Sequence, residues 1–167
     1  SRERKQNTES LTIIILGTSG GPQRDIPVGT LAIASYALGL DNTGMFYEYP
    51  AADNIVLDIE REAYRIITDA TPDAARFKGK IFPYASKASS EVVEALVKYA
   101  QNDYVVGITA SASGFFGPQG REIPGLPITV PRLQEHLATL LVGNNRIIGI
   151  CDEMFLNENG QSTVVNF

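Results

Sequence analysis

The sequence holds one cysteine, Cys151, and one histidine, His136, among its 167 residues. A single thiol excludes an internal disulfide framework and a cysteine-rich zinc site, and a single imidazole removes the usual histidine-based metal sets and serine triads. We expect no metal. Basic residues are also scarce, 14 against 19 acidic for a formal charge of -5, and no Lys/Arg cluster follows the opening Ser-Arg-Glu-Arg-Lys. Such a surface suits an extended phosphate backbone poorly, so nucleic acid is not an expected partner. Long hydrophobic runs are missing too. Thr12 to Leu16 and the interrupted stretch Leu31 to Leu40 fall well short of the ~18 to 20 residues of a membrane span, and no signal-peptide pattern precedes them. These absences predict a protein with no membrane partner, in a reducing, cytoplasmic setting.

What is present is a 44% apolar composition, enough to fill the core of one domain over residues 1–167. Leu11 to Leu16 (LTIIIL) is β-branched and continuously apolar, the pattern of a strand buried on both faces, and Gly17-Thr-Ser-Gly-Gly-Pro22 ends it. A second strand is predicted over Gly29 to Leu38, followed by a turn over Gly39 to Gly44 and an aromatic patch at Phe46, Tyr47 and Tyr49. Ile55, Ile59, Ala63, Ile66 and Ile67 recur at helical spacing, predicting a helix over Asn54 to Thr68 that Pro72 stops. A short strand is predicted over Lys80 to Ala85. Ser89 or Ser90 then caps a helix with Val92, Val93, Leu96 and Val97 on one face and a Glu94–Lys98 pair. Tyr104 to Ala110 predicts another buried strand. Pro131 opens a helix carrying Leu133, Leu137, Leu140 and Leu141, and Arg146 to Ile150 forms a further strand. Asn159-Gly160 signals a hairpin between Phe155-Leu156 and Val164-Val165.

Strands that alternate with helices argue for an α/β layered domain, in which ligands bind beyond the carboxyl ends of the strands. Two loops are expected there. In Gly17-Thr-Ser-Gly-Gly21, glycines free to take positive φ can turn several N–H groups toward an anion or carbonyl, and Thr18 and Ser19 add hydroxyls. The same residues also make an ordinary tight turn. In the second loop, Phe115, Gln119 and Arg121 put a flat ring, an amide and a guanidinium within seven residues, a set that suits a planar heterocycle with alternating donors and acceptors. Read one at a time, Phe115 and Phe116 would be core, Gln119 solvated and Arg121 a surface ion-pair partner.

Four patches in order, Ile13 to Gly21, Ile26-Pro-Val-Gly29, Leu38-Gly-Leu-Asp41 and Gly107 to Glu122, resemble the uridine phosphorylase family of nucleoside phosphorylases, particularly its bacteroidal-type members. The resemblance runs from about Leu11 to Arg121, with Phe115-Phe-Gly-Pro-Gln-Gly-Arg121 its most specific part. It implies a three-layer α/β fold with a mixed central sheet and helices on both faces. The activity it implies is phosphorolysis of uridine to uracil and ribose 1-phosphate, with inorganic phosphate as co-substrate and no cofactor. It further implies that Gln119 and Arg121 hold a uracil-like base against Phe115 and stabilise it as it leaves, with Ser19 and Gly20 beside the base and Gly17 and Thr18 at the phosphate and ribose. Family active sites lie at a dimer interface, which implies a homodimer or hetero-oligomer.

Three departures accompany the resemblance. Ile15 stands where the family places a phosphate-binding arginine, and an isoleucine cannot donate to phosphate. The family's amino-terminal Gly-Asp-Pro phosphate loop has no counterpart before Ser1, so we expect these residues to be part of a longer polypeptide. The ribose-binding Glu-Met-Glu patch is echoed only by Cys151-Asp-Glu-Met-Phe155, which makes Glu153 and Met154 the ribose candidates; the tail Glu153 to Gly160 resembles the family's leader equally well. Ile15 therefore sets a second expectation beside the enzyme: a non-catalytic paralogue that binds a nucleobase or nucleoside, or a silent subunit of a hetero-oligomer. His136 is expected to be a partly exposed spacer, Cys151 a small buried hydrophobe, and Asp58, Glu60 and Glu62 a solvated helix face.

Overall fold

The computed structural model describes residues 12–48, 50–101 and 103–152 and the backbone of 163–166. Within them are seven strands, β1 (Ile14–Gly17), β2 (Leu31–Gly39), β3 (Tyr84–Lys87), β4 (Tyr104–Ser111), β5 (Leu141–Val142), β6 (Asn145–Cys151) and β7 (Thr163–Asn166). Three α-helices, α1 (Asn54–Ala70), α2 (Ser90–Tyr99) and α3 (Leu133–Leu137), connect them. The strand order is β1-β7-β2-β4-β6-β5, with β3 added alongside β2. The sheet is mixed: β2, β4 and β6 run parallel, and β7 is antiparallel to β2 but parallel to β1. None of the described helices is long and apolar enough to cross a membrane.

Of the two runs read as buried strands, Tyr104 to Ala110 forms β4 in the middle of this sheet, between β2 and β6. Ile33, Leu38, Ile108, Ala110, Ile147 and Ile150 are buried and line β2, β4 and β6. Burying strands on both faces requires cover on both, which βαβ crossovers provide. Leu38, Ile108 and Ile150 share one cluster with Val56, Ile59, Ala63, Ile66 and Ile67 of α1 and with Leu133 and Leu137 of α3. Helix α2 packs on β2 outside that cluster, completing an architecture with helices on both faces.

Several expectations need correction. β1 is not buried: Ile14 is 49% and Leu16 63% exposed, because the strand pairs with β7 alone among the described residues and stands at the sheet edge. Hydrophobicity identified a strand without showing what covers it. The strand predicted over Lys80 to Ala85 is shifted to Tyr84–Lys87, where it can pair antiparallel with Tyr36 to Gly39. The third helix is only five residues long, since Leu141 leaves it for β5 and pairs with Arg146. Lys98 lies over the Tyr99 ring at 5.6 Å instead of pairing with Glu94. Glu60 is not simply solvated, for its Oε1 accepts the Ala85 N–H at 2.9 Å and ties α1 to β3. His136 is half-buried and Cys151 buried, as expected. Glu153, Met154 and the Asn159-Gly160 turn lie outside the described residues.

Helix α1 starts at Asp53, whose carboxylate accepts the Val56 N–H at 3.1 Å. The same carboxylate accepts from Tyr36 at 3.2 Å and Lys87 at 3.0 Å, so one cap joins the helix to β2 and β3. Burial pushes its pKa up, and the bonds from Lys87, Val56 and Tyr36 outweigh that and hold it below the usual carboxylate value. Tyr84 performs a similar task at the other end of β3. Its ring lies between Gly39 and Gly44, where a Cβ on either would enter the ring, and its hydroxyl donates to Asp41 at 3.0 Å.

Burial and the neighbouring Asp41 charge push the Tyr84 phenol from 10.0 up to about 12. Its proton is thus held more tightly in the folded chain than in the unfolded one. Stability is undiminished below the unfolded pKa and is lost as the pH climbs through the interval between the two values. Urea midpoints should therefore fall between pH 9.5 and pH 12, on the order of one to two pKa units of linkage at most. Tyr84→Phe should lower the midpoint at neutral pH and flatten its alkaline decline; an unchanged decline would exclude Tyr84 as the source.

Candidate active site

The second loop is built by the end of β4. Gly117 to Gln119 form a single 3-10 turn, closed by Gly120 at φ 77°. The carbonyl of Phe116 accepts the N–H groups of both Gln119 and Arg121, at 2.9 and 3.0 Å. Only glycine fits position 120, because its φ is left-handed and a Cβ would collide with the Leu133 backbone. That turn sends Gln119 inward and Arg121 across the ring of Phe115, with the guanidinium carbon 4.0 Å from the centroid. Phe116 meets Phe115 edge to face at 5.3 Å.

Burial sorts these side chains. Gln119 is 1% exposed and Phe115 is 48% exposed. Gln119 is therefore not solvated, and Phe115 and Phe116 are not core. Among the described residues, the Gln119 Oε1 and the Arg121 Nε are buried without hydrogen-bond partners. Buried polar atoms left without a partner are costly to the folded chain. Ser111 Oγ, at the end of β4, is a third such group.

The first loop arrives by an unexpected route. Because β7 is antiparallel to β2, β1 also runs against the β2–β4–β6 direction, and Gly17 lies level with Asn166 and hence with Ala32 at the start of β2. The carboxyl end of β1 therefore does not lie beside those of β4 and β6. The chain instead turns back along β6, where Gly20 and Ile150 exchange backbone hydrogen bonds of 2.8 and 2.9 Å in an antiparallel bridge. The result places Gly20 beside the second loop: a Cβ there would stand 3.9 Å from Arg121 Nη2. Neither Gly20 nor Gly21 has positive φ, and a Cβ would make ordinary contacts at Gly20 and meet open space at Gly21, so neither backbone freedom nor close approach demands glycine there. Thr18 is exposed, Gly17 and Ser19 are half-buried, and Ile15 is half-buried on the edge strand.

Sequence reasoning missed the side chains that hold this loop. Gln23 Nε2 donates to the carbonyls of Ala138 and Ile147, at 2.9 and 2.8 Å. Arg146 forks onto Asp25 at 3.1 and 2.7 Å, and its hydrogen bond holds the Asp25 carboxyl below the usual carboxylate value. No local pattern marks such residues, whose partners are far away in sequence. A separate cavity of about 280 Å³, bordered by Tyr47, Leu57, Glu60, Tyr84 and Lys87, takes in none of the loop residues.

A mixed three-layer sheet with a glycine loop brought against an aromatic, amide and guanidinium set defines a phosphorylase-like α/β protein. The chain belongs to the phosphorylase superfamily, whose sequence model matches residues 8–140. Among solved structures it is similar to a Trypanosoma brucei nucleoside phosphorylase described as showing uridine phosphorylase activity, at 25% identity and TM-score 0.72 over 99% of this chain. It also aligns with a uridine phosphorylase of the oomycete Phytophthora capsici (18% identity, TM-score 0.45, 94% of this chain). A third is a putative methylthioadenosine nucleosidase of Weissella paramesenteroides (15%, 0.47, 93%). This chain spans 59%, 54% and 53% of those proteins, respectively. No curated protein matches it in sequence.

Gly120→Ala should cost at least ~2 kcal/mol, since it combines backbone strain with a collision against backbone. Gly117→Ala is the control, because its Cβ would make an ordinary 3.5 Å contact with Ile128 and should be nearly neutral. Chemical denaturation of the two variants checks this, and equal losses would show that the turn does not require glycine at 120.

Proposed function

We propose that this chain supplies the nucleoside site of a pyrimidine nucleoside phosphorylase acting on uridine. The observation that carries the reading is the pair of buried unpartnered groups, Gln119 Oε1 and Arg121 Nε, beside the Phe115 ring. A uracil edge offers what they lack: an N–H for the amide oxygen and flanking carbonyl oxygens for the guanidinium. The exposed part of Phe115 supports the flat ring, and Gly20 leaves room for it. In the reaction a phosphate oxygen bonds to the anomeric carbon of ribose as the bond from that carbon to the base nitrogen breaks. The bonding pair leaves with uracil, whose carbonyls gain negative charge. Arg121 and Gln119 strengthen their hold as that charge develops, stabilising the transition state more than bound uridine. In this reading Gly17 and Thr18 face phosphate and ribose, Glu153 and Met154 the ribose, and Ser19 the base. Phosphate is the co-substrate, and no cofactor is needed.

The reading carries a cytoplasmic setting and assembly into a homodimer or heteromer. Phe46 is 79% exposed beside exposed Met45 and Tyr47, an apolar patch of the kind covered in assemblies. Ile15 supports a second reading, a base-binding paralogue or silent subunit without phosphorolysis. As an apolar residue at the family's arginine position, it gives phosphate no charge-assisted partner.

Uracil or uridine should raise the melting temperature of the folded chain more than adenosine does, and Arg121→Ala should abolish that shift without unfolding the domain. Equal shifts for uracil and adenosine would refute the pyrimidine site. Uracil release from uridine, followed with and without saturating phosphate, separates the two readings. The loss of one charge-assisted partner, worth ~2 to 3 kcal/mol, weakens phosphate binding ~30- to 150-fold, so Ile15→Arg should accelerate release at limiting phosphate. Ile15 is half-buried on an edge strand, so the arginine can reach solvent and the substitution should be tolerated. Brisk phosphate-dependent release by the unmodified chain would dismiss the silent-subunit reading.

A further inference from the structure

Residues Gly20 to Asp25 run back along β6 and are tied down three times: by the Gly20–Ile150 backbone pair, by Gln23 and by the Asp25–Arg146 ion pair. The ties are not equivalent. The Asp25–Arg146 pair is exposed, with 62% and 37% of the two side chains open to solvent, and pairs of that kind contribute little. Gln23 is part-buried and commits its amide nitrogen to two carbonyls on separate elements, Ile147 within β6 and Ala138 just after α3. A planar amide held at two points fixes the position and the tilt of the segment that carries it. Removing it also leaves both carbonyls short of a partner.

We propose that Gln23 is a positioning residue for the base site, holding the Ser19–Gly21 backbone at a set distance from Arg121. The inference rests on the nucleoside-site reading above. Gly20 is where the first loop comes up to Arg121: a Cβ there would lie 3.9 Å from the guanidinium, an ordinary contact distance. The space between this backbone and the Arg121–Phe115 stack is where a flat base would have to enter, and a loop displaced by about an ångström closes or widens it enough to cost affinity. The Gln23 hydrogen bonds go to Ala138 and Ile147, not to Phe115, Gln119 or Arg121, so its role in the site is through the loop.

The test uses the full chain with Gln23→Glu, which keeps the shape and replaces both donors with oxygen, and Gln23→Met, which removes them without adding charge. Amide hydrogen exchange in peptides covering Thr18 to Gly21 should quicken about tenfold or more in both, with exchange in β2 and β4 unchanged as the check that the core is folded. Uracil, titrated as the probe, should bind about tenfold more weakly, and Asp25→Asn should change both readings by less than threefold. Unchanged exchange around Gly20 would overturn the clamp. Faster exchange with unaltered uracil affinity would overturn the positioning role and leave Gln23 structural. If the unmodified chain binds no uracil, the base-site reading fails on its own, and positioning toward a base fails with it, while the exchange measurement still reports whether Gln23 clamps the loop.

Discussion

Two loops far apart in the chain form one site because Gly20 and Ile150 exchange a pair of main-chain hydrogen bonds. The strand that delivers the first loop runs against β2, β4 and β6, so its carboxyl end starts at the wrong end of the sheet. Only a return path along β6 corrects this. Main-chain pairing is suited to the task because backbone groups near the sheet must find partners in any case, and here each satisfies the other. Gln23 and the Asp25–Arg146 pair then fix a path that the bridge has already chosen. The central strands serve the same end: the parallel register of Gly39 with Ser111 and of Ser111 with Cys151 aligns three strand ends. From that edge the Phe115–Arg121 loop departs.

How much of this was legible in the sequence depends on the range over which each feature is decided. Helix α1 was readable nearly to its end, because Ile59, Ala63, Ile66 and Ile67, four of its five buried residues, recur at helical spacing and Pro72 stops it; the fifth is Val56, where the spacing had pointed to Ile55. The middle strands were readable from their predominantly apolar stretches. Phe115, Gln119 and Arg121 were readable as one group because a single turn around Gly120 brings them together. Other features depend on distant partners. The exposure of β1 follows from its place at the sheet edge, which LTIIIL does not encode. The shortened third helix reflects the pull of Leu141 into a pair with Arg146. Gln23 could not be read at all, since its two acceptors lie 115 and 124 residues away.

Gln119 and Arg121 carry an energetic imbalance. Some buried polar groups are well served: Thr71 Oγ1 donates to Ile67 at 2.6 Å, and the Asp53 carboxylate satisfies three donors from three elements; Asp41 Oδ2 and Thr68 Oγ1 are buried without partners. The Phe115–Arg121 loop adds two more within three residues, Gln119 Oε1 and Arg121 Nε. Each such group costs the fold about 1–3 kcal/mol, a large share of the roughly 5–15 kcal/mol by which a typical domain is stable. A purely structural arginine would have been placed against a carboxylate, as Arg146 is against Asp25. Here the guanidinium is instead held over an aromatic ring, which fixes its plane and leaves its edge open to hydrogen bonding. The geometry is that of a group preorganised for a partner that arrives with its own donors and acceptors, and the binding of that partner would recover the desolvation cost the folded chain carries.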